Sequence, residues 1–457
     1  APSEDSMSYV MNLKLADPDE AQAFVDSNGA EHNVPNVALG AAQPPSHGLA
    51  HVAPPGYPSV RSGEVTTTTE LTRAAERRTM AVACLVVFTA QMATTIYLPS
   101  LPAIEHDFAV SRSFAALSVS LFVIGAAAPV VLWGRAADRY GRRAAMLAAL
   151  GLFVVASAVL IANTSPVWLL ILRSLQGIGA GGAAIIARVV ARDLGDGDAL
   201  AKRLSVLSIA FVTALGGGQF LGGLIGDWQG GFAVLTAAGV ICVIGTLTLS
   251  LDPGRGGGEK TGMVRIYFRI LTVRAFLLPS IAAGLGFATI VLLQEVAPFV
   301  FQRYFGLGVE EYGNVGLLIG LAYFGGAMLV NRLASRRGSH WLMRAGALVM
   351  TGAGALTVVL WLLPGIPLTA ALVTFIALYC GITFGQAALF PSGMAVAVSA
   401  VPGQGAYAVA LCGFVAQSIA GVAATFAVLL HENLVWASAA TGLSLLAFLL
   451  IRVKTRE

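Results

Sequence analysis

The stretch VVLWGRAADRYGRRAAML, Val130–Leu147, sets four arginines and one aspartate between two apolar runs. The chain around it is 56% hydrophobic and only 11% charged, so charge this concentrated marks a hairpin between two hydrophobic segments. Outward from the hairpin, runs of about 20 apolar residues recur, each long enough to cross the roughly 30 Å hydrocarbon layer as a helix. Twelve such runs are read: 79–101, 114–133, 144–162, 166–186, 204–225, 232–251, 275–301, 313–333, 341–363, 369–395, 406–430 and 434–451. With 457 residues at a mean hydropathy of +0.78, the composition excludes an ordinary soluble multidomain protein. The 52 glycines fit the same reading, because bundled membrane helices tolerate Gly and Pro and use small residues for close packing. The expectation is an all-α, polytopic membrane protein.

Most of the 28 basic residues fall on one side of that arrangement. The connections after runs two, four, six and eight carry Arg135, Arg139, Arg142 and Arg143; Arg188, Arg192, Lys202 and Arg203; Arg255, Lys260, Arg265, Arg269 and Arg274; and Arg332, Arg336, Arg337 and Arg344. The opposite connections hold only Arg112 and Arg303. Lys and Arg are retained on the cytoplasmic side, which puts both termini there. The charge is spread over loops rather than gathered in one stripe, so nucleic acid is not an expected partner. Cys84, Cys242, Cys380 and Cys412 all sit inside apolar runs as small packing residues, and no metal or cofactor spacing appears.

Residues 1–76 differ in kind. They are polar and Pro-rich, as in PPSHGLAHVAPPGYP, and read as a disordered tail, with a short strand at YVMNLKL and a helix start at DPDEAQAF as the alternative. The membrane part is duplicated. GRAADRYG at 134–141 matches NRLASRRG at 331–338, each in the loop after the second span of a six-span half. The implied domains are a half at 77–251, a basic linker at 252–273 and a second half at 274–457. Two six-helix halves around a midplane site form a transporter plan.

Gly134–Arg143, GRAADRYGRR, resembles the loop signature of the major facilitator superfamily, G-x-x-x-D-R-x-G-R-R, at every defined position. The resemblance implies a twelve-helix fold and a latch, Gly134, Asp138, Arg139, Gly141, Arg142 and Arg143, that joins the halves on the cytoplasmic side in the outward-facing state. The glycines permit a tight reversal, and the acid and arginines make charge-assisted bonds. LLILRSLQGIGAGGAA, at 169–184, resembles the family's R-x-x-Q-G motif of the fourth helix. ALGGGQFLGG, at 214–223, resembles the antiporter motif of the fifth through Gly218, Gly222 and Gly223, with Gln219 where the motif has Pro; close helix packing accounts for the same glycines. TTIYLPSLPAI, ARDL and APFVFQRYFGL resemble the bicyclomycin/chloramphenicol-resistance branch of the twelve-span drug/proton antiporters, over about residues 77–453. That branch implies a monomeric exporter of small amphipathic or hydrophobic compounds, in the inner membrane, exchanging them for protons.

One departure bears on coupling: Thr95 stands where that branch commonly carries an acid. Glu295 is the remaining carboxylate well inside a run, roughly 9 Å from the end of span seven, and Arg173 lies at a similar depth in span four. Intramembrane charges are costly and face cavities or partners, so the pair is expected to bridge the halves and carry the coupling; the other readings are structural pairing alone for Arg173 and, for Glu295, a carboxylate that reaches the outer interface or caps a loop. Met92, Thr95, Gln176, Gln294, Phe299, Tyr323 and Gln386 are expected to line the substrate cavity. A facilitator or importer of one metabolite on the same fold, without proton coupling, remains the alternative. An enzyme is not expected, since His106, His340 and His431 stand isolated in loops.

Overall fold

Helices dominate because hydrocarbon offers the backbone no hydrogen-bond partner but itself. The computed structural model describes residues 62–127, 129–194, 197–251, 262–402, 404–427, 429–430 and 432–452, and these hold fifteen α-helices and no strand. In chain order they are α1 (Ser62–Thr95), α2 (Leu101–Asp107), α3 (Arg112–Ala127), α4 (Val130–Tyr140), α5 (Arg142–Ile161), α6 (Pro166–Asp193), α7 (Gly197–Ile225), α8 (Trp228–Leu247), α9 (Gly262–Leu271), α10 (Arg274–Phe299), α11 (Val309–Arg337), α12 (Ser339–Leu362), α13 (Leu368–Ser399), α14 (Gly405–Ala427) and α15 (Asn433–Arg452). Eleven helical segments are long and apolar enough to span a membrane, and α3 with α4, bent by 45°, makes a twelfth.

Each apolar run corresponds to one crossing, with three differences of detail. The helix of span one begins at Ser62, so the last part of the expected tail is helical; the YVMNLKL and DPDEAQAF readings lie outside the described residues. The linker contains the helix α9, whose Ile266, Tyr267 and Ile270 pack against Val401, Ala408 and Leu411 while Phe268 and Arg269 face out. The hairpin is helical up to Tyr140. Gly134 lies inside α4 with open space where a Cβ would stand, so it is not a turn residue. Gly141 alone turns the chain, at φ +92°, and its repeat partner Gly338 does the same at φ +73°.

Span two breaks at Pro129, which has no N–H to donate and crowds the preceding turn. Span one leaves α geometry after Thr95 for the same reason. Pro99 and Pro102 carry the chain through a 3-10 turn, Leu98–Ser100, into α2.

The helices pack in a repeated pattern. In the first six spans α5 packs on α6, α3 on α6 and α5 on α8; six spans later α12 packs on α13, α11 on α13 and α12 on α15. Two seams join the sets, α7 against α11 and α3 against α14. Both are close: a Cβ on Gly223 would stand 2.7 Å from Gly313 Cα, and one on Gly421 2.8 Å from an Ile124 side-chain carbon.

Candidate functional site

Arg173 is fully buried in α6, a helix started by Pro166 in its first turn. Its Nη1 donates to the Ala93 carbonyl in the last turn of α1, at 3.2 Å, and to Gln176 Oε1. Gln176 Nε2 in turn donates to Ser157 Oγ on α5, at 2.7 Å. Three rings surround the guanidinium: Tyr97 at 4.1 Å, Phe122 at 4.3 Å and Phe232 at 5.8 Å. Ring faces attract a cation, so the charge is met without an acid. Nε and Nη2 have no partner.

Glu295 on α10 is 1% exposed. Its Oε1 accepts a hydrogen bond from Ser120 Oγ on α3 at 2.7 Å, and its Oε2 has no partner. The expected Arg173–Glu295 bridge is therefore not formed in this structure. Arg173 bonds within the first six spans, under the ring of Tyr97, whose hydroxyl meets Ser118 Oγ at 3.0 Å. Glu295 crosses to the first six spans, but through a serine.

Span seven continues past Phe299 as a π-helical turn, Val300–Tyr304. There Gln302 Nε2 donates to the Pro99 carbonyl at 2.6 Å, and Arg303 pairs with Glu105 of α2 at 2.6 Å. Arg112 lies 4.8 Å over the Phe299 ring and Arg303 5.5 Å over the same ring. This end of the bundle, remote from the Gly134–Arg143 hairpin, is bridged between the two sets of spans.

The fifth-helix glycines work on two faces of α7. Gly218 and Gly222 meet span one: a Cβ would lie 2.1 Å from Thr95 Oγ1 and 1.7 Å from the Ile96 carbonyl, respectively. Gly223 meets Gly313, and Gly216, which the motif does not mark, meets Gly320. Gln219, in the proline position, fills the space over Gly316. Thr95 spends its hydroxyl on the Ala214 carbonyl at 3.0 Å, tying α1 to α7.

At the hairpin, Asp138 pairs with Arg142 at 3.1 Å, and Arg142 also reaches Asp193 of α6 at 2.9 Å. Arg143 bonds the Leu247 carbonyl of α8, and Arg139 lies over the exposed ring of Tyr140. These bonds join α4, α5, α6 and α8 to one another and do not reach the second six spans. The linker helix comes near: burial, the Tyr407 hydroxyl and the Asp138 carboxylate raise the phenol pKa of Tyr267, against Arg192, which lowers it.

The expected cavity residues are all buried, most of them against a particular neighbour. Gln176 serves Arg173, and Thr95 serves Ala214. The amide of Gln386 lies against the backbone of α10 at Gly286 and Phe287. Phe299 is covered by two arginines. Met92 packs beside Gly218, and Tyr323 packs with Val212 and Ala387 at the α7–α11 seam. Gln294 is buried. Ser120, Tyr97, Glu105 and Gln302 are the residues that sequence reasoning missed. A serine or tyrosine in an apolar run carries no local mark of the partner it meets across the bundle.

Residues 83–425 match the profile of the Major Facilitator Superfamily. The chain belongs to this superfamily. It is a multi-pass membrane transporter and not an enzyme. Among its relatives, the uncharacterized MFS-type transporter YdgK of Bacillus subtilis is 26% identical over 64% of this chain and 74% of its own length. The Multidrug transporter MdfA of Yersinia pestis is 28% identical over 60% of this chain and 69% of its own. Other curated relatives are matched over as little as 57% of their length. A crystal structure of a D-xylose-proton symporter superposes on this major facilitator with a TM-score of 0.69 at 18% identity, over 82% of this chain and 97% of that one, a likeness of fold.

Proposed function

We propose that this major facilitator exports small amphipathic or hydrophobic organic molecules in exchange for protons, by rocking its two six-helix halves about a central site. The carrying observation is Glu295, a carboxylate sealed at the boundary between the two sets of spans and bonded across it to Ser120. Protonating or discharging that carboxylate changes a bond that must part when the sets move, so proton uptake and rocking share one interaction. The multidrug name of a relative supports the substrate class. The Lys and Arg bias supports a hairpin and linker facing the cytoplasm, in the inner membrane. The Gly134–Arg143 cluster, with its arginines committed to the first half here, is the latch that reaches across in the opposite state.

Efflux of a substrate found by a growth-inhibition screen, measured in energised and de-energised vesicles, tests the reading. Glu295→Gln holds the side chain uncharged; it is expected to abolish uphill efflux, spare downhill exchange and flatten the pH dependence. Uphill efflux by Glu295→Gln with unchanged pH dependence would sink proton coupling at this residue and favour the uncoupled facilitator or importer.

A further inference from the structure

The second hairpin, 331–344, keeps the positive charge of the first and loses its acids. Ser335 stands where the first copy has Asp138, 197 positions earlier. Between Arg274 and Arg452 the acids are Glu295, Glu310, Glu311 and Glu432. Glu295 lies within span seven, and the other three lie at the opposite end of the bundle from this hairpin. Glu310 and Glu311 are in the first turn of α11, and Glu432 is in the connection from α14 to α15. Arg332, Arg336, Arg337 and Arg344 are all exposed, and none forms an ion pair among the described residues. Arg337 lies instead 5.3 Å over the ring of Trp341, itself 45% exposed. A ring face attracts a cation but does not neutralise it.

Three of these arginines continue stripes that face lipid. On α11, Phe324, Met328, Arg332 and Arg336 recur every four residues, and all are exposed. On α12, Trp341, Arg344, Leu348, Gly352 and Leu356 do the same at three- and four-residue steps. Such spacing keeps one face of a helix, and exposed apolar residues on a membrane span meet acyl chains. The two helices leave Gly338 in opposite directions, so both stripes reach their arginines at the same end. An exposed tryptophan beside them fits the headgroup level, where tryptophan is enriched. Chains along the stripes and cations at their end call for one molecule with both an apolar body and a negative head. A guanidinium fork bonds phosphate oxygens in pairs, and several unneutralised arginines favour a headgroup of net negative charge.

We propose that the 331–344 hairpin is a binding site for an anionic phospholipid. Arg332, Arg336 and Arg344 hold its phosphate, Trp341 flanks the head, and the chains lie along α11 and α12. The first hairpin spends Arg142 on Asp138 and Asp193 and Arg143 on the Leu247 carbonyl, and is not expected to share the site. The proposal depends neither on the transported substrate nor on proton coupling.

Native mass spectrometry of the purified full chain, offered phosphatidylglycerol and phosphatidylcholine with the same acyl chains, tests it. Phosphatidylglycerol is expected to be retained about tenfold more tightly. Arg336→Gln with Arg344→Gln should erase that preference, whereas Arg336→Lys with Arg344→Lys should keep most of it. Arg332→Gln should weaken the preference, and Arg135→Gln, its counterpart in the first copy, should not. Millimolar inorganic phosphate should fail to displace the lipid, because it has no chains to lay on the stripes. The proposal is overturned by equal retention of the two lipids, or by a preference that survives loss of both arginines. Loss of the preference in the Lys pair would count against recognition by charge, and equal weakening by Arg135→Gln against this location. Displacement by phosphate alone would mark a site for a soluble anion instead of a lipid.

Discussion

Arg173 has no acid beside it. A buried guanidinium without a counter-ion is tolerable only if its hydrogen-bond and electrostatic needs are met otherwise, and here a carbonyl, an amide and three rings do so. Gln176 is the most replaceable of these and so the most informative. Gln176→Leu removes an acceptor from a charged donor that already has two unpartnered nitrogens, and should cost about 1.5–3 kcal/mol. A lowered denaturation midpoint in detergent checks it; an unchanged midpoint would mean that the rings alone hold the charge. Lys cannot take the arginine's place on equal terms, because its compact ammonium lacks the planar fork that donates while lying flat on Tyr97.

Among the elements, α7 depends most on the absence of side chains. At Gly222 an added Cβ meets the backbone carbonyl of Ile96, just past the end of α1, at 1.7 Å, where no rotamer change gives relief, whereas at Gly217 it meets nothing. Gly222→Ala should therefore destabilise the bundle by on the order of 3 kcal/mol or more. Gly217→Ala should be neutral or stabilising by up to about 1 kcal/mol, as expected for replacing glycine in a helix. Thermal unfolding of the two purified variants side by side decides it; equal stability would show that α1 and α7 are not in contact as described. The duplication also shows at this scale. Tyr97 and Phe232 pack on Arg173, while Phe301 and Trp436, each 204 residues later, pack on Phe375. The box is repeated, and only the first copy encloses a charge.

For the whole molecule, the two seams are where the sets of spans meet, and any rocking of one set on the other must take place there. At the α7–α11 seam Gly216 and Gly223 meet Gly320 and Gly313 backbone to backbone, while Gln219 sits over Gly316; at the α3–α14 seam Gly421 receives Ile124. Asp138→Asn weakens the ion pair to Arg142 without touching either seam. It is expected to lower transport roughly tenfold, about 1.4 kcal/mol, at normal membrane expression; unaltered efflux at equal expression would reduce the hairpin to a topology signal. Orientation has its own check. In a background lacking the native cysteines, His340→Cys should react with an impermeant thiol reagent only from the cytoplasm and Glu310→Cys only from outside. Labelling of His340→Cys in intact cells would reverse the assignment.

Hydropathy and local punctuation determined what belongs to single segments: twelve crossings, the turn at Gly141 and its repeat at Gly338; the break at Pro129, inside a run read as continuous, came from the structure. These are legible because a membrane helix satisfies its own backbone, so its existence depends on its own residues alone. The family was legible too, since GRAADRYGRR is one contiguous stretch. Partners were not. That Glu295 answers to Ser120 rather than Arg173, that Gln386 closes on Gly286 and that Gly216 rather than Gly217 lies on the seam depend on how helices rotate and cross. Those angles are set by packing among residues about a hundred positions or more apart, and only the tertiary structure decides them.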